Sequence, residues 1–477
     1  LSAAPADIRN NRPYTTLAQG GTGSHPNGLQ LGYGARTLFS NSDIDSMLVW
    51  RGLEPAAGHK LGNQLLQHGG PSQYALSYSS LVALGLSQEM IRPLHYVKIA
   101  GSPNSLYTNM GMATGFAIPV CVANHTAFKQ LTTVSASDVA SSRRDLISST
   151  ISRLTQAAAD GAVSFKQSQS LFKSFLGSYQ SGMQVNGGGL ADSVEFKSVW
   201  KRYCLNGAMA MRDVLVSSQQ VANPSNGLDA VAEPLSTTSM TSYVSGAAFS
   251  QDNLYTFLTD IAAVDHVSKQ IQDVPASGFF EELKQAAFGA AMAEFLISKN
   301  LSAVVELALP SIDAHDLDDE EVVHATITFA MFRELVRGLK ALPGEGGSSL
   351  LDLTTIVMHT EFDRQPWLSV GRPAYWSRPG TNHGSTASIL IAGGQGFKTG
   401  KVIGDIKDAP GAYGTYAAFA GTGYSGPLPM NFQTGVPTPN GSIVSTRHLM
   451  ATVLASFGIS VPTNQISEFG AIRGVLK

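Results

Sequence analysis

Charge is what this sequence has least of. Asp, Glu, Lys and Arg make up 14% of its 477 residues, against about a quarter in ordinary soluble proteins. The net charge is −3 and no basic block occurs. That excludes a nucleic-acid-binding face, which needs a positive patch to meet phosphates. Cysteine is almost missing: Cys121 and Cys204 are the only two, and neither belongs to a CxxC pair. Either they form one disulfide in an exported protein, or they are two buried thiols. No uncharged apolar run reaches about 18 residues, so no membrane span is expected. The most apolar stretch, QAAFGAAMAEFLISKNLSAVVELALP, carries Glu294, Lys299 and Glu306. The phosphate-loop, zincin and nucleophile-elbow patterns are also lacking. GGQGFKTG (393–400) follows an apolar run, but its third glycine is misplaced and no helix start follows. It reads as a tight loop, and HGGPSQ (68–73) as a turn after the helical HKLGNQLLQ.

What is there is glycine, 48 residues of it, with much Ser, Thr and Asn. Low charge with such a composition is common in exported proteins. The chain opens LSAAPAD, as if a leader had been removed or the piece simply began there. The expected location is therefore periplasmic or extracellular.

Along the chain, 1–45 reads as an irregular polar arm. Short apolar runs predict strands over 46–53, 94–101 and 116–123, so 46–136 is the first part of an α/β core. Apolar residues at three- and four-residue steps then predict a mainly helical segment over 137–300, broken by a polar loop near PSNGLDAVAEPLSTTS. Alternation returns over 301–477, the second part of the core. Strands are expected at 301–310, 350–360, 387–394 and 401–406, with helices at 324–342 and 445–460. Strand–helix–strand alternation points to an α/β sheet with helices on both faces.

In such sheets ligands sit outside the carboxyl ends of the strands. LSAVVELALP leads to Asp313 and His315, and LLDLTTIVM leads to His359, Glu361, Asp363 and Arg364. The loop before ASILIAGG carries Asn382 and His383. Carboxylates and imidazoles from several strand ends suit a hard or borderline divalent metal. Each has a plainer explanation alone. Asp316, Asp318, Asp319, Glu320 and Glu321 suit a helix N-terminus, Glu361 and Arg364 suit an ion pair, and His383 suits a hydrogen-bonded loop. The coincidence of three strand ends is what favours a metal.

TIVMHTEFDR, then GTNHGSTASILIAGGQGFKTGKVIGD, then STRHLMATVLASFGI resembles a secreted bacterial sulfatase-like family (domain of unknown function 1501) of the alkaline phosphatase superfamily. The likeness covers 301–460 well and 46–70 loosely. It implies a three-layer α/β/α sandwich, alkaline phosphatase-like, with a mainly helical insertion. It also implies a metal-dependent hydrolase of phosphate or sulfate esters. Asp313, His315, Glu361 and His383 fall on the family's metal-site positions, and Arg364 falls on its arginine. The metal would be zinc, calcium, magnesium or manganese. The substrate would be a small anionic ester or a sulfated or phosphorylated polymer. Ser24 or His59 would be the contribution from the N-terminal half. The chain also departs from the family: Asp363 replaces a Gly, Asn382 a common Asp, and the first strand with its Gly-Gly and Asp is not found. The missing first-strand Asp, with the low charge and the Gly/Asn/Thr-rich loops, motivates a second reading, a non-catalytic exported scaffold whose arm (1–45) packs on a second copy.

Overall fold

The computed structural model describes residues 15–16, 30–31, 38–54, 66–68, 76–90, 92, 94–99, 117–132, 190–222, 278–310, 319–359, 364–366, 381–383, 386–394, 396–404, 406–407, 426–460 and 470–477. Within them helices and sheets are mixed.

The strand β1 (Met47–Leu53) is apolar at nearly every position, and both of its faces are covered, as that pattern requires. Met47 and Val49 enter one hydrophobic core; Leu48, Trp50 and Leu53 enter another. Strict alternation would send Leu53 to the first core. It does not, because the register with the neighbouring strand slips by a residue, from Trp50↔Ile389 to Leu53↔Ala387. Gly52 adopts φ 73° within that step. A glycine bulge thus turns Leu53 onto the Trp50 face.

Next along the chain come β2 (Tyr96–Ile99), β3 (Val120–Val122) and β4 (Val304–Leu307). They form a parallel sheet ordered β3-β2-β4. β1 belongs to a separate four-stranded sheet with β5 (Thr355–His359), β8 (Ala387–Gly393) and β9 (Lys401–Ile403), in the order β9-β1-β8-β5. β8 runs antiparallel to both β1 and β5, and β9 runs parallel to β1. Between β5 and β8 come β6 (Arg364–Pro366) and β7 (Thr381–His383), an antiparallel pair.

The two sheets share their cores. Val97, Ile99, Val122, Leu390 and Ala392 lie in the first, with Leu307, Ile356 and Met358 packed against it. Val304 and Val357 pack against the second. The first core is covered by α4 (Val194–Ala222), α5 (Gly278–Ser298) and α6 (Asp319–Ala341). The second is covered by α2 (Tyr78–Leu86) and α7 (Thr446–Ser456). Two further helices among the described residues are α1 (Asn41–Asp45) and α3 (His125–Thr132).

α5 approaches the parallel sheet closely because its inner positions are small. A Cβ on Gly289 would overlap Leu307. Its charges are matched locally: Glu294 meets Arg202 and Tyr203, and Lys284 meets Glu281 at 2.9 Å. So α4 and α5, read from sequence as part of a separate helical segment, contribute to the same core as the strands. α6 is tied to the chain before β1: Arg337 donates two hydrogen bonds to Asp43, at 2.9 and 2.7 Å, and Arg333 donates to the Leu38 carbonyl at 2.9 Å.

Several boundaries differ from the periodicity. The strand expected over 350–360 is only Thr355–His359. Asp352 accepts from the Ser349 N–H and hydroxyl at 2.8 and 2.7 Å, which folds 349–354 into a turn. β4 occupies only the middle of 301–310. α6 begins at Asp319, five residues before the periodic apolar stretch; the carboxylates of 319–321 suit a helix start. GGQGFKTG places Gly393, Gly394 and Gly400 at positive φ and leads into β9. Cys121 is exposed on β3 and Cys204 is buried in α4, and both are free, so neither the disulfide nor the pair of buried thiols is found: only Cys204 is a buried thiol.

Candidate functional site

The strand ends singled out from the sequence belong to different sheets. β4, in the parallel sheet, leads toward Asp313 and His315; β5, in the mixed sheet, leads toward Glu361. Asp313, His315, Glu361 and Asp363 lie outside the described residues, as do Ser24 and His59. Arg364 and His383 are described in backbone, and they are direct partners: Arg364 pairs with His383, Gln365 with Asn382, and Pro366 with Thr381. The ladder therefore brings the loop histidine beside the chain that leaves β5, three residues past Glu361. Among the described residues alone, no group of three His, Cys, Asp or Glu side chains could hold a metal ion.

A group of polar side chains lies between α2 and the parallel sheet. Ser77 caps that helix, accepting from Ser80 N–H at 3.1 Å. His95, just before β2, donates from Nε2 to the Ala83 carbonyl at 2.7 Å, which fastens α2 to the parallel sheet. On the sheet face beneath, Lys98 of β2 and Glu306 of β4 are register partners and form an ion pair at 2.9 Å, with side chains 5% and 18% exposed. The Tyr96 phenol lies in the same buried neighbourhood. Burial first, then Glu306, pushes its pKa upward.

Tyr78, the first residue of α2, spans from this group to the other sheet. Its Oη is 3.1 Å from Nε2 of His359, and the two rings meet edge-on with centroids 6.2 Å apart. Burial, and next the charge of Glu306, raise the Tyr78 pKa, so the phenol keeps its proton. It can donate to Nε2, or accept when Nε2 carries the hydrogen. His359 is the last residue of β5 and is paired in backbone with Ile389.

His359 was legible as a strand-exit residue. Tyr78, Tyr96, Lys98 and Glu306 were not singled out. A signal was present: YVKI and VVEL each carry one charge inside an apolar strand, opposite in sign. Buried charges need partners, so two such strands are candidates to be neighbours.

Compared with known proteins, the chain matches no family model, no curated protein and no solved structure. The likeness to the sulfatase-like family therefore stands on the motif residues alone.

Proposed function

We propose that this chain is an exported, metal-dependent hydrolase of phosphate or sulfate esters. In this reading the two sheets form the middle layer of a three-layer α/β/α sandwich, and the site lies beyond the ends of β4 and β5. The observation that carries it is the pairing of Arg364 with His383, which draws two separate motifs to one place. Asp313, His315, Glu361 and His383 would hold a divalent ion. When bound, that ion would supply Lewis-acid polarisation of an ester oxygen. Arg364 would bind the anionic group and offset charge that builds on it during transfer. The substrate class is a small anionic ester or a sulfated or phosphorylated polymer, since a cationic residue beside a metal selects oxyanions.

The second reading, a non-catalytic exported scaffold assembling through 1–45, is favoured by the missing first-strand Asp, the low charge and the Gly-, Asn- and Thr-rich loops. One experiment separates the two. Elemental analysis of the purified protein and of Glu361→Ala should find stoichiometric zinc, calcium, magnesium or manganese in the first and little in the second. Ester screening then follows. No metal in either protein rules out the hydrolase reading and leaves the scaffold.

A further inference from the structure

We infer that the gap between β4 and β5 is a gate: the two strands pair with each other, in parallel, and shut Glu306 and His359 under α2. Nothing in this depends on the hydrolase reading above. β4 and β5 are edge strands, one of the parallel sheet and one of the mixed sheet, and no ladder joins them among the described residues. Each is half-buried at every position. β2 is buried throughout, and β1 and β8 are buried at all positions but one. Yet the composition of β4 and β5 is that of inner strands. Val304, Val305 and Leu307 make β4 apolar on both faces, and Ile356, Val357 and Met358 do the same for β5. Neither strand carries a Lys, a Pro or a bulge, the devices that blunt a true edge.

Both strands already send alternate residues to the same two cores. Val305, Leu307, Ile356 and Met358 pack against the first; Val304 and Val357 pack against the second. Their directions agree as well. Glu306, near the end of β4, acts on the Tyr78 phenol through its charge. His359, at the end of β5, lies 3.1 Å from the same phenol. Both carboxyl ends therefore meet at the first residue of α2. One register satisfies these facts: Glu306 beside His359, Val305 beside Met358, and Val304 beside Val357. It extends the row that already sets Lys98 beside Glu306 and joins the strands into one sheet, β3-β2-β4-β5-β8-β1-β9. Closing removes six apolar side chains from water and pairs backbone groups that two edges leave to solvent. Opening lets solvent reach Glu306 and His359 at the carboxyl ends of the strands, where ligands of α/β sheets sit. The Tyr78–His359 contact holds the two ends together while the gap is open.

The test uses the full chain with Val304→Cys and Val357→Cys, and with Cys121→Ser to remove the exposed native thiol. Paired strands hold neighbouring Cα atoms about 4.8 Å apart, inside the roughly 7 Å reach of a disulfide. A further strand lodged between them would double that spacing and put it out of reach. Mild oxidation should therefore lock Val304→Cys to Val357→Cys in most molecules, read by peptide mapping without reductant. Val305→Cys with Val357→Cys presents its thiols on opposite faces and should stay reduced. No disulfide in the first chain, or as much in the second, overturns the gate. Amide hydrogen exchange of the unaltered chain keeps the proposal testable if the cysteine variants do not fold. Closure protects every amide of 304–307 and 355–359, whereas edges protect only the alternate ones bonded to β2 and β8. Alternate protection overturns the gate, and so does full protection without the disulfide, which would mean that another strand fills the gap.

Discussion

The phenol of Tyr203 donates a 2.7 Å hydrogen bond to Oε2 of Glu294, linking α4 to α5 inside the first core. Arg202 binds the same carboxylate oxygen, and the carboxylate fills the space over Gly338 of α6, where a Cβ would overlap it. One buried charge thus joins three helices. An Ala for Gly exchange inside a helix ordinarily stabilises by about 1 kcal/mol. Gly338→Ala should do the opposite, costing about 3 kcal/mol by pushing a buried carboxylate off its partners. Tyr203→Phe should cost about 1–2 kcal/mol. Urea unfolding of both variants reads the order, and a stabilised Gly338→Ala would disprove the packing.

Lys98 and Glu306 make a second buried pair, across β2 and β4. Breaking it from one side strands a charge. Glu306→Gln should destabilise by about 3–5 kcal/mol, whereas Lys98→Met with Glu306→Leu should come near neutral. Denaturant midpoints for the two variants test the contrast. Equal losses would mean that the strands need the charges themselves.

His448 in the first turn of α7 accepts from Ser445 N–H at 3.0 Å and meets the edge of Phe432 at 4.7 Å between centroids. Burial holds its pKa down to about 4, and the nearby Arg447 adds to this. The unfolded chain would bind a proton near pH 6.5. Neutral His448 therefore contributes its full stability above about pH 6.5, and that contribution is lost as pH falls toward 4. Against a His448→Gln variant, wild type should lose on the order of 2 kcal/mol more between those limits. Melting curves taken across the window decide it; parallel curves would show the histidine to be solvated.

Asp43 behaves as an acid partner of Arg337. Burial alone would raise its pKa, but the Arg337 guanidinium and Ser40 overcome that and hold the carboxyl below its usual value. Its contribution is present above the ordinary carboxylate pKa of about 4 and is lost as pH falls through the lower folded value. Asp43→Asn should therefore weaken the protein at pH 6 and flatten its loss of stability below pH 4. Chemical denaturation at several acidic pH values is the check, and an unchanged slope would count against the pair.

Much of the architecture was legible along the chain. The short apolar runs SMLVWRGL, LHYVKIAG and ASILIAGG mark strands, and β1, β2 and β8 lie within them. The turn at 349–354 was misread as strand because LLDL is apolar; the deciding hydrogen bonds come from a single side chain, Asp352. The Gly52 bulge was also hidden, since a glycine's backbone sign depends on the strand it pairs with. Of the proposed site, Arg364 and His383 were legible as separate motifs, and their pairing was not.

The sequence by itself determined which segments become strands and helices and which residues leave water, because propensity and periodicity act over a few residues and need no distant partner. It also set the charges that must be matched: Lys98, Glu294 and Glu306 are buried wherever their apolar neighbours are. Only the tertiary structure decided the matches. Glu294 meets Tyr203 across 91 residues, and Tyr78 meets His359 across 281. Such choices are made by how helices and sheets close over a shared core, where a partner's distance along the chain leaves no local trace.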